Sequence, residues 1–214
     1  MKVHALPAKP RALLLDFDGT LYTHKAYAAF QNDVLIERLA QERGESPEAT
    51  KAVLEARRAE RRAAGGGPTS LGNLFVDFGV DIATSVAWRL ELIDPRKWLT
   101  PDPRLAETLA DLGLGLALVT NNPAELGRRG LAALGLGTIV TVVVGLDDCM
   151  ASKPDPAPYA LAAKRLGVAP GDCISVGDRY DVDLAPALAL GMGAIEVSGV
   201  EDVYTLPDFF ASRA

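Results

Sequence analysis

The chain is poor in the residues that several function classes require. Of its 214 residues only two are cysteines, Cys149 and Cys173, and neither sits in a CxxC pair. Free thiols are therefore expected, rather than a disulfide framework or a thiolate zinc site. Basic residues are outnumbered, 22 Lys and Arg against 28 Asp and Glu, for a net charge of −6. That balance argues against a nucleic-acid polymer or an anionic membrane as partner. No apolar run is long enough to span a bilayer. The N-terminal MKVHALPAKPRALLLDFDG has an apolar stretch too short for a signal peptide, and acids interrupt it. There is no internal repeat, and no low-complexity segment beyond Gly65, Gly66 and Gly67. These absences leave a cytoplasmic globular protein, long enough for one sizeable core plus an insertion.

What is present begins with ALLLDFDGTL, residues 12–21. Ala12 to Leu15 has the length and composition of a strand buried on both faces. Two carboxylates, Asp16 and Asp18, follow it, and then Gly19, which permits a turn. Burying unpaired charge is expensive, so acids at the mouth of such a strand call for a cation or a proton. A strand end followed by an Asp-Gly turn would explain the stretch equally well when it is taken alone.

From Tyr22 to Trp98 the pattern is helical. Tyr27, Phe30, Val34 and Leu35 recur at helical spacing up to Gly44, and Ser46-Pro47 opens a second helix bearing Arg57, Arg58, Arg61 and Arg62. Further helical regions cover 71–78 and 82–92. From Pro101 onward helices and strands alternate. Strands are expected at 114–119, 139–144, 173–176 and 194–197, and helices begin at Asp102-Pro103, Asn122-Pro123 and Asp155-Pro156, with a fourth over 184–190. This alternation predicts an α/β fold with a parallel sheet covered on both faces. Residues 1–21 and 99–214 would form the core, and 22–98 an inserted helical layer.

Ligands of such sheets bind outside the carboxyl ends of the strands. The notable polar residues fall there: Asp16 and Asp18, then Thr120 and Asn121, then Asp178, Asp181 and Asp183, with Lys153 in the loop SKPDP. Singly, each has a plain explanation as a strand end, a solvated lysine or a helix cap. Together they place a hard-cation site beside an anion site, the pairing that phosphoryl transfer needs.

In order, DFDGT, LVTNN, SKPDP and GDRYDVDL resemble the four motifs of the haloacid dehalogenase superfamily, most of whose members are magnesium-dependent phosphatases. The resemblance implies a Rossmann-like three-layer core with a helical cap over 22–98. It implies that Asp16 is the nucleophile that forms an aspartyl-phosphate, and that Asp18 is the acid and then the base. Thr120, Asn121 and Lys153 would hold the phosphoryl group. Magnesium would sit among Asp16, the main-chain carbonyl of Asp18, Asp178 and Asp183, with Asp181 read as a helix cap. The presence of Asp18 points to phosphate esters rather than haloacids, since only an alkoxide leaving group needs a proton. A phosphomutase and a non-catalytic binding protein on the same fold are the other readings.

The stretches GPTSLGNLFVDFGVD and DPRKWLTPDPRLAETLADL resemble the pyrimidine 5′-nucleotidase-like branch, although that branch more often has Asn where Gly19 stands. A nucleoside 5′-monophosphate is accordingly the first expected substrate, ahead of phosphoglycolate or a sugar phosphate. The arginines at 57–62 read as a solvated helix face, and His24 as an exposed loop residue.

Overall fold

The computed structural model describes residues 1–67 and 69–213; Pro68, within the GPTSLG stretch, and Ala214 lie outside the described residues. Six strands form one sheet: β1 (Lys2–Ala5), β2 (Ala12–Leu15), β3 (Gly115–Val119), β4 (Val142–Val144), β5 (Cys173–Gly177) and β6 (Gly193–Glu196), in the order β1-β6-β5-β2-β3-β4. All neighbours are parallel except β1, which runs antiparallel to β6 at the edge. This is an α/β, Rossmann-like sheet with β2 at its centre.

Every residue of β2 is buried. Successive side chains of a strand point to opposite faces. Leu13 and Leu15 therefore join one apolar layer with Leu118, Ile174 and Val176. Ala12 and Leu14 join the other, with Val119, Cys173, Tyr159 and Ala162. The register aligns the strand ends: Leu15 lies opposite Leu118 of β3 and Val176 of β5. Asp16, Thr120 and Asp178, each at or just beyond the end of its strand, thus emerge on one edge of the sheet. From β2 the chain goes on to β3 and β4 on one side and then returns to β5 and β6 on the other, which opens a crevice at that edge.

Between β2 and β3 stand α1 (Lys25–Arg43), α2 (Pro47–Ala63), α3 (Leu71–Val76) and α4 (Ile82–Leu92). Local chemistry sets their ends. Ser46, Ser70 and Asp81 each accept a hydrogen bond from a main-chain N–H of the first turn, and Gly44 closes α1 in the left-handed region. His24 is exposed and caps α1 through Nδ1. Where the chain enters and leaves this helical layer, Tyr27 stacks on Trp98 with ring centroids 5.7 Å apart, and Phe30 packs against the same indole at 4.9 Å. Arg57 and Arg61 both reach Asp77, at 2.7 and 2.5 Å. The arginine face is therefore partly tied to the start of the next turn as well as solvated.

The remaining helices are α5 (Pro103–Asp111), α6 (Ala124–Ala133), α7 (Leu146–Cys149), α8 (Ala157–Leu166), α9 (Ala185–Ala189), α10 (Val200–Val203) and α11 (Leu206–Ala211). Besides α7, α10 and α11, which were not expected, three features depart from the sequence reading. Strand β1 was not expected, because its four residues are exposed or half-buried and carry no core signal. Strand β4 starts only at Val142, since the N–H groups of Ile139 and Val140 turn back to the carbonyl of Leu136. The fourth helix begins as a wider turn over Tyr180–Leu184 before α9. Both cysteines are free thiols. Among the described residues no helix is long and apolar enough to cross a membrane.

Phe17, between the two acids of the first motif, points into the core against α6. A Cβ added at Gly130 would lie 2.3 Å from Phe17 Cζ. Gly130→Ala is expected to force the ring aside at a cost of about 1–3 kcal/mol. Thermal denaturation should show this as a fall in Tm of several degrees.

Candidate active site

Asp16 is 5% exposed and Lys153 is 1% exposed, so the charges at the end of β2 lie inside the protein. The Lys153 ammonium pairs with Asp16 and lies 2.7 Å from Asp183 Oδ1. The loop that carries Lys153 is clamped by Asn121. Its side-chain oxygen accepts from the Lys153 N–H at 2.6 Å, and its Nδ2 donates to the Lys153 carbonyl at 3.1 Å. Both ends of the Asn121 amide are thereby engaged with main chain.

Carboxylate oxygens of Asp16, Asp178 and Asp183 lie within 4.8 Å of one another. Asp183 is held from behind. Its Oδ2 accepts the Arg179 N–H at 3.1 Å, and its carbonyl accepts from the Ser175 hydroxyl at 2.7 Å. Asp181 is exposed and outside the group. Two oxygens of the cluster, Asp178 Oδ1 and Asp183 Oδ1, are buried and accept no hydrogen bond among the described residues, although Arg179 Nε lies 3.5 Å from the first and Lys153 Nζ 2.7 Å from the second. Orphaned carboxylate oxygens facing one point are what a hard divalent cation requires of its ligands. The residues present fit such an ion.

The electrostatics agree with that fit. Burial, followed by the neighbouring Asp183, pushes the Asp16 carboxyl up to about 7, against the opposing pull of Lys153 and Arg179. Burial also raises Asp178. Burial alone would lower Lys153, but Asp16 and Asp183 outweigh it and hold the ammonium above the usual lysine range. Lys153 and the half-exposed Arg179, 3.5 Å from both Asp178 and Asp183, face three clustered carboxyls, so negative charge is in excess and a bound cation would relieve it.

Asp18 stands apart from this cluster. Its Oδ1 accepts from the Tyr22 hydroxyl and from Gln31 Nε2 at 2.7 Å, and its Oδ2 accepts from Asn122 Nδ2 at 3.2 Å. Asn122 Nδ2 also donates to Gln31 Oε1 at 3.1 Å. Thr120 is buried, and its hydroxyl oxygen accepts the Asn122 N–H at 3.1 Å. Gly19 is required twice over. Its φ is +83°, and an added Cβ would lie 2.5 Å from Asp178 Oδ2.

These groups border a crevice of about 310 Å3 between the sheet edge and the helical layer, lined by Asp18, Gly19, Asn121, Asn122, Asp178 and Arg179 below and by Gln31, Ser70, Leu71 and Arg89 above. The sequence reading named Asp16, Asp18, Thr120, Asn121, Lys153, Asp178 and Asp183, and all of them gather at this edge. It did not single out Gln31, Asn122, Arg179 or Arg89. Asn122 was readable as the second Asn of LVTNN, but nothing local marked Gln31 or Arg89, which come to the site from helices.

A model of the haloacid dehalogenase-like hydrolases matches residues 10–191. Phosphoglycolate phosphatase of Escherichia coli K12 is 38% identical over 116 residues, a match covering 48% of this chain and 46% of that protein. The phosphoglycolate phosphatase of Salmonella typhi is 42% identical over 89 residues, covering 40% and 35%. The chain thus spans about half or less of the length of these curated relatives. Among solved structures, a HAD phosphatase from Thermococcus onnurineus superposes with a TM-score of 0.65 at 27% identity, covering 94% of this chain and 97% of that one. A 2-haloacid dehalogenase from Pseudomonas syringae shares the fold, with a TM-score of 0.61 at 22% identity over 96% of this chain and 100% of that one. With the match running from the strand before DFDGT to the helix after GDRYDVDL, the chain belongs to the haloacid dehalogenase-like hydrolase family.

Proposed function

We propose that the protein is a magnesium-dependent phosphatase of small phosphorylated metabolites, with residues 22–98 acting as a cap over the site. One observation carries this reading: a buried lysine bridges Asp16 and Asp183 within a three-carboxylate cluster two of whose oxygens accept no hydrogen bond. Asp16 attacks phosphorus, and its new bond to phosphorus forms as the ester P–O bond breaks, leaving an aspartyl-phosphate that water hydrolyses. Asp18 gives the leaving oxygen its proton and then takes one from the attacking water. Tyr22, Gln31 and Asn122 orient its carboxyl for both tasks. Lys153 and the Thr120 hydroxyl face the transferring oxygens and offset their charge. Asn121 acts on substrate through the Lys153 loop that it clamps.

Asp16, Asp178, Asp183 and the main-chain carbonyl of Asp18 would hold the magnesium, which when bound neutralises the clustered carboxylates and draws charge from the phosphoryl oxygens. Phosphoglycolate is the leading substrate, supported by the names of the curated relatives and by a crevice at the small end of the range for ligand sites. None of the relatives named above is a pyrimidine 5′-nucleotidase, so the nucleoside monophosphate expectation rests on the cap motifs alone.

A panel of phosphoglycolate, UMP, CMP and hexose phosphates tests the substrate, with phosphoglycolate expected to give the highest kcat/KM; a nucleotide ranked first would overturn that choice. Asp16→Asn should lower turnover by about three orders of magnitude or more while circular dichroism stays native. Wild-type turnover in the variant would remove Asp16 from the nucleophile role. EDTA should abolish activity and added magnesium restore it.

The metal site also predicts a pH effect. The Asp16 carboxyl rises from 3.8 to about 7 on folding without metal. A raised acid contributes stability that is full below 3.8 and is lost as pH climbs through 7. Magnesium should therefore raise Tm more at pH 7.5 than at pH 5, and Asp16→Asn should flatten that difference.

A further inference from the structure

Arg89 lies on α4, is 5% exposed, and faces the crevice opposite Asp18 and Asp178. Its only hydrogen bonds among the described residues run from Nη1 to the carbonyl and hydroxyl of Ser85, one turn earlier in its own helix. Nε and Nη2 have no acceptor, and no carboxylate pairs with the guanidinium among the described residues. The contrast with nearby arginines is plain. Arg38 reaches Glu42 and Glu91, and Arg57 and Arg61 reach Asp77, all at the surface. Asp18 attracts the group across the crevice without touching it, and a buried cation with no carboxylate in contact is unfavourable unless a ligand supplies one. Burial lowers Arg89 to about 10, which still leaves it cationic at neutral pH. Gly72 on α3 lies beside the group: an added Cβ would come into ordinary contact with Nη2, at 3.6 Å.

We propose that Arg89 is a specificity residue that holds a carboxylate on the leaving-group end of the substrate, by paired hydrogen bonds from Nε and Nη2. These two N–H groups lie side by side in the fork that matches a carboxylate. The crevice of about 310 Å3, at the small end of the range for ligand sites, joins Arg89 to Asp18, the acid proposed for the leaving oxygen. The substrate class is thus the phosphate ester of a short hydroxy acid. This deepens the phosphatase reading and rests on it.

The test compares phosphoglycolate with ethyl phosphate, an ester of the same length without the carboxylate, on wild type, Arg89→Met and Arg89→Lys. The ratio of kcat/KM values, phosphoglycolate over ethyl phosphate, should fall about 10- to 100-fold in Arg89→Met, mainly through KM, and recover in part in Arg89→Lys. An unchanged ratio, or equal losses on both esters, overturns the assignment. If Arg89→Met does not fold, the ratio in Arg89→Lys must still fall, because an ammonium cannot form the paired contact. Wild type that hydrolyses neither ester nor any other member of the panel refutes the phosphatase reading instead. Arg89 is then judged by binding to the Asp16→Asn protein. Phosphoglycolate should raise its Tm, and adding Arg89→Met should remove that rise; equal shifts in both proteins overturn the proposal.

Discussion

A lysine ammonium sealed between two carboxylates at the end of the central strand is the constraint around which this protein is arranged. Lys153 and Asp183 are both 1% exposed, so neither charge can be left to water. Their compensation has to come from the protein, and it comes from three separate strand ends: Asp16 after β2, the loop of Lys153 beyond β4, and Asp178 with Asp183 beyond β5. Such a group can form only if the strands are in register, which the pairing of Leu15 with Leu118 and Val176 provides. The apolar sheet and the charged edge are therefore parts of one arrangement. The layers above and below the strands keep water from the pairs, and exclusion of water is what makes the pairs strong.

The supporting contacts are as specific as the charges. Asn121 fixes the Lys153 loop through both halves of its amide, and the main-chain N–H of Arg179 fixes Asp183. Asn122 links Asp18 to Gln31, so a single side chain connects the sheet edge with the first helix of the insertion. Ser70 and Ser152 meet at 2.9 Å and make a second such link. The acid of the first motif that faces the crevice is thus oriented partly by residues outside the sheet, and its surroundings depend on where the helical layer sits.

Much of this was legible in the sequence because it depended on local chemistry. The buried strand before DFDGT, the glycine turn after it, and the Ser and Asp caps followed from short-range preferences that the tertiary structure did not override. The alternation after Pro101 followed from the hydrophobic pattern. Asp183 and Asp181 could not be separated by composition; only the wide turn at Tyr180–Leu184 turns one inward and leaves the other in solvent. Strand β1 was hidden because an edge strand with exposed side chains lacks the pattern of a core strand. Gln31 and Arg89 were hidden for a different reason. Each is one polar residue on a mixed helix, and its meaning comes from a crevice formed by parts of the chain far apart in sequence.

The stacking of Tyr27 and Phe30 on Trp98 has a consequence for the architecture as a whole. It brings the start and the end of a long excursion to one place, so the sheet meets that excursion as though through a single doorway. The alignment of β2 with β3 then does not depend on how many residues lie beyond the doorway, because closing a longer loop adds only a slowly growing entropic cost. A core built this way can keep its strand register while the structure hung on the doorway changes in length and lining. Among the described residues only Tyr22 and Gln31, which bond Asp18, tie the inserted segment to the acid at the strand end and limit that freedom.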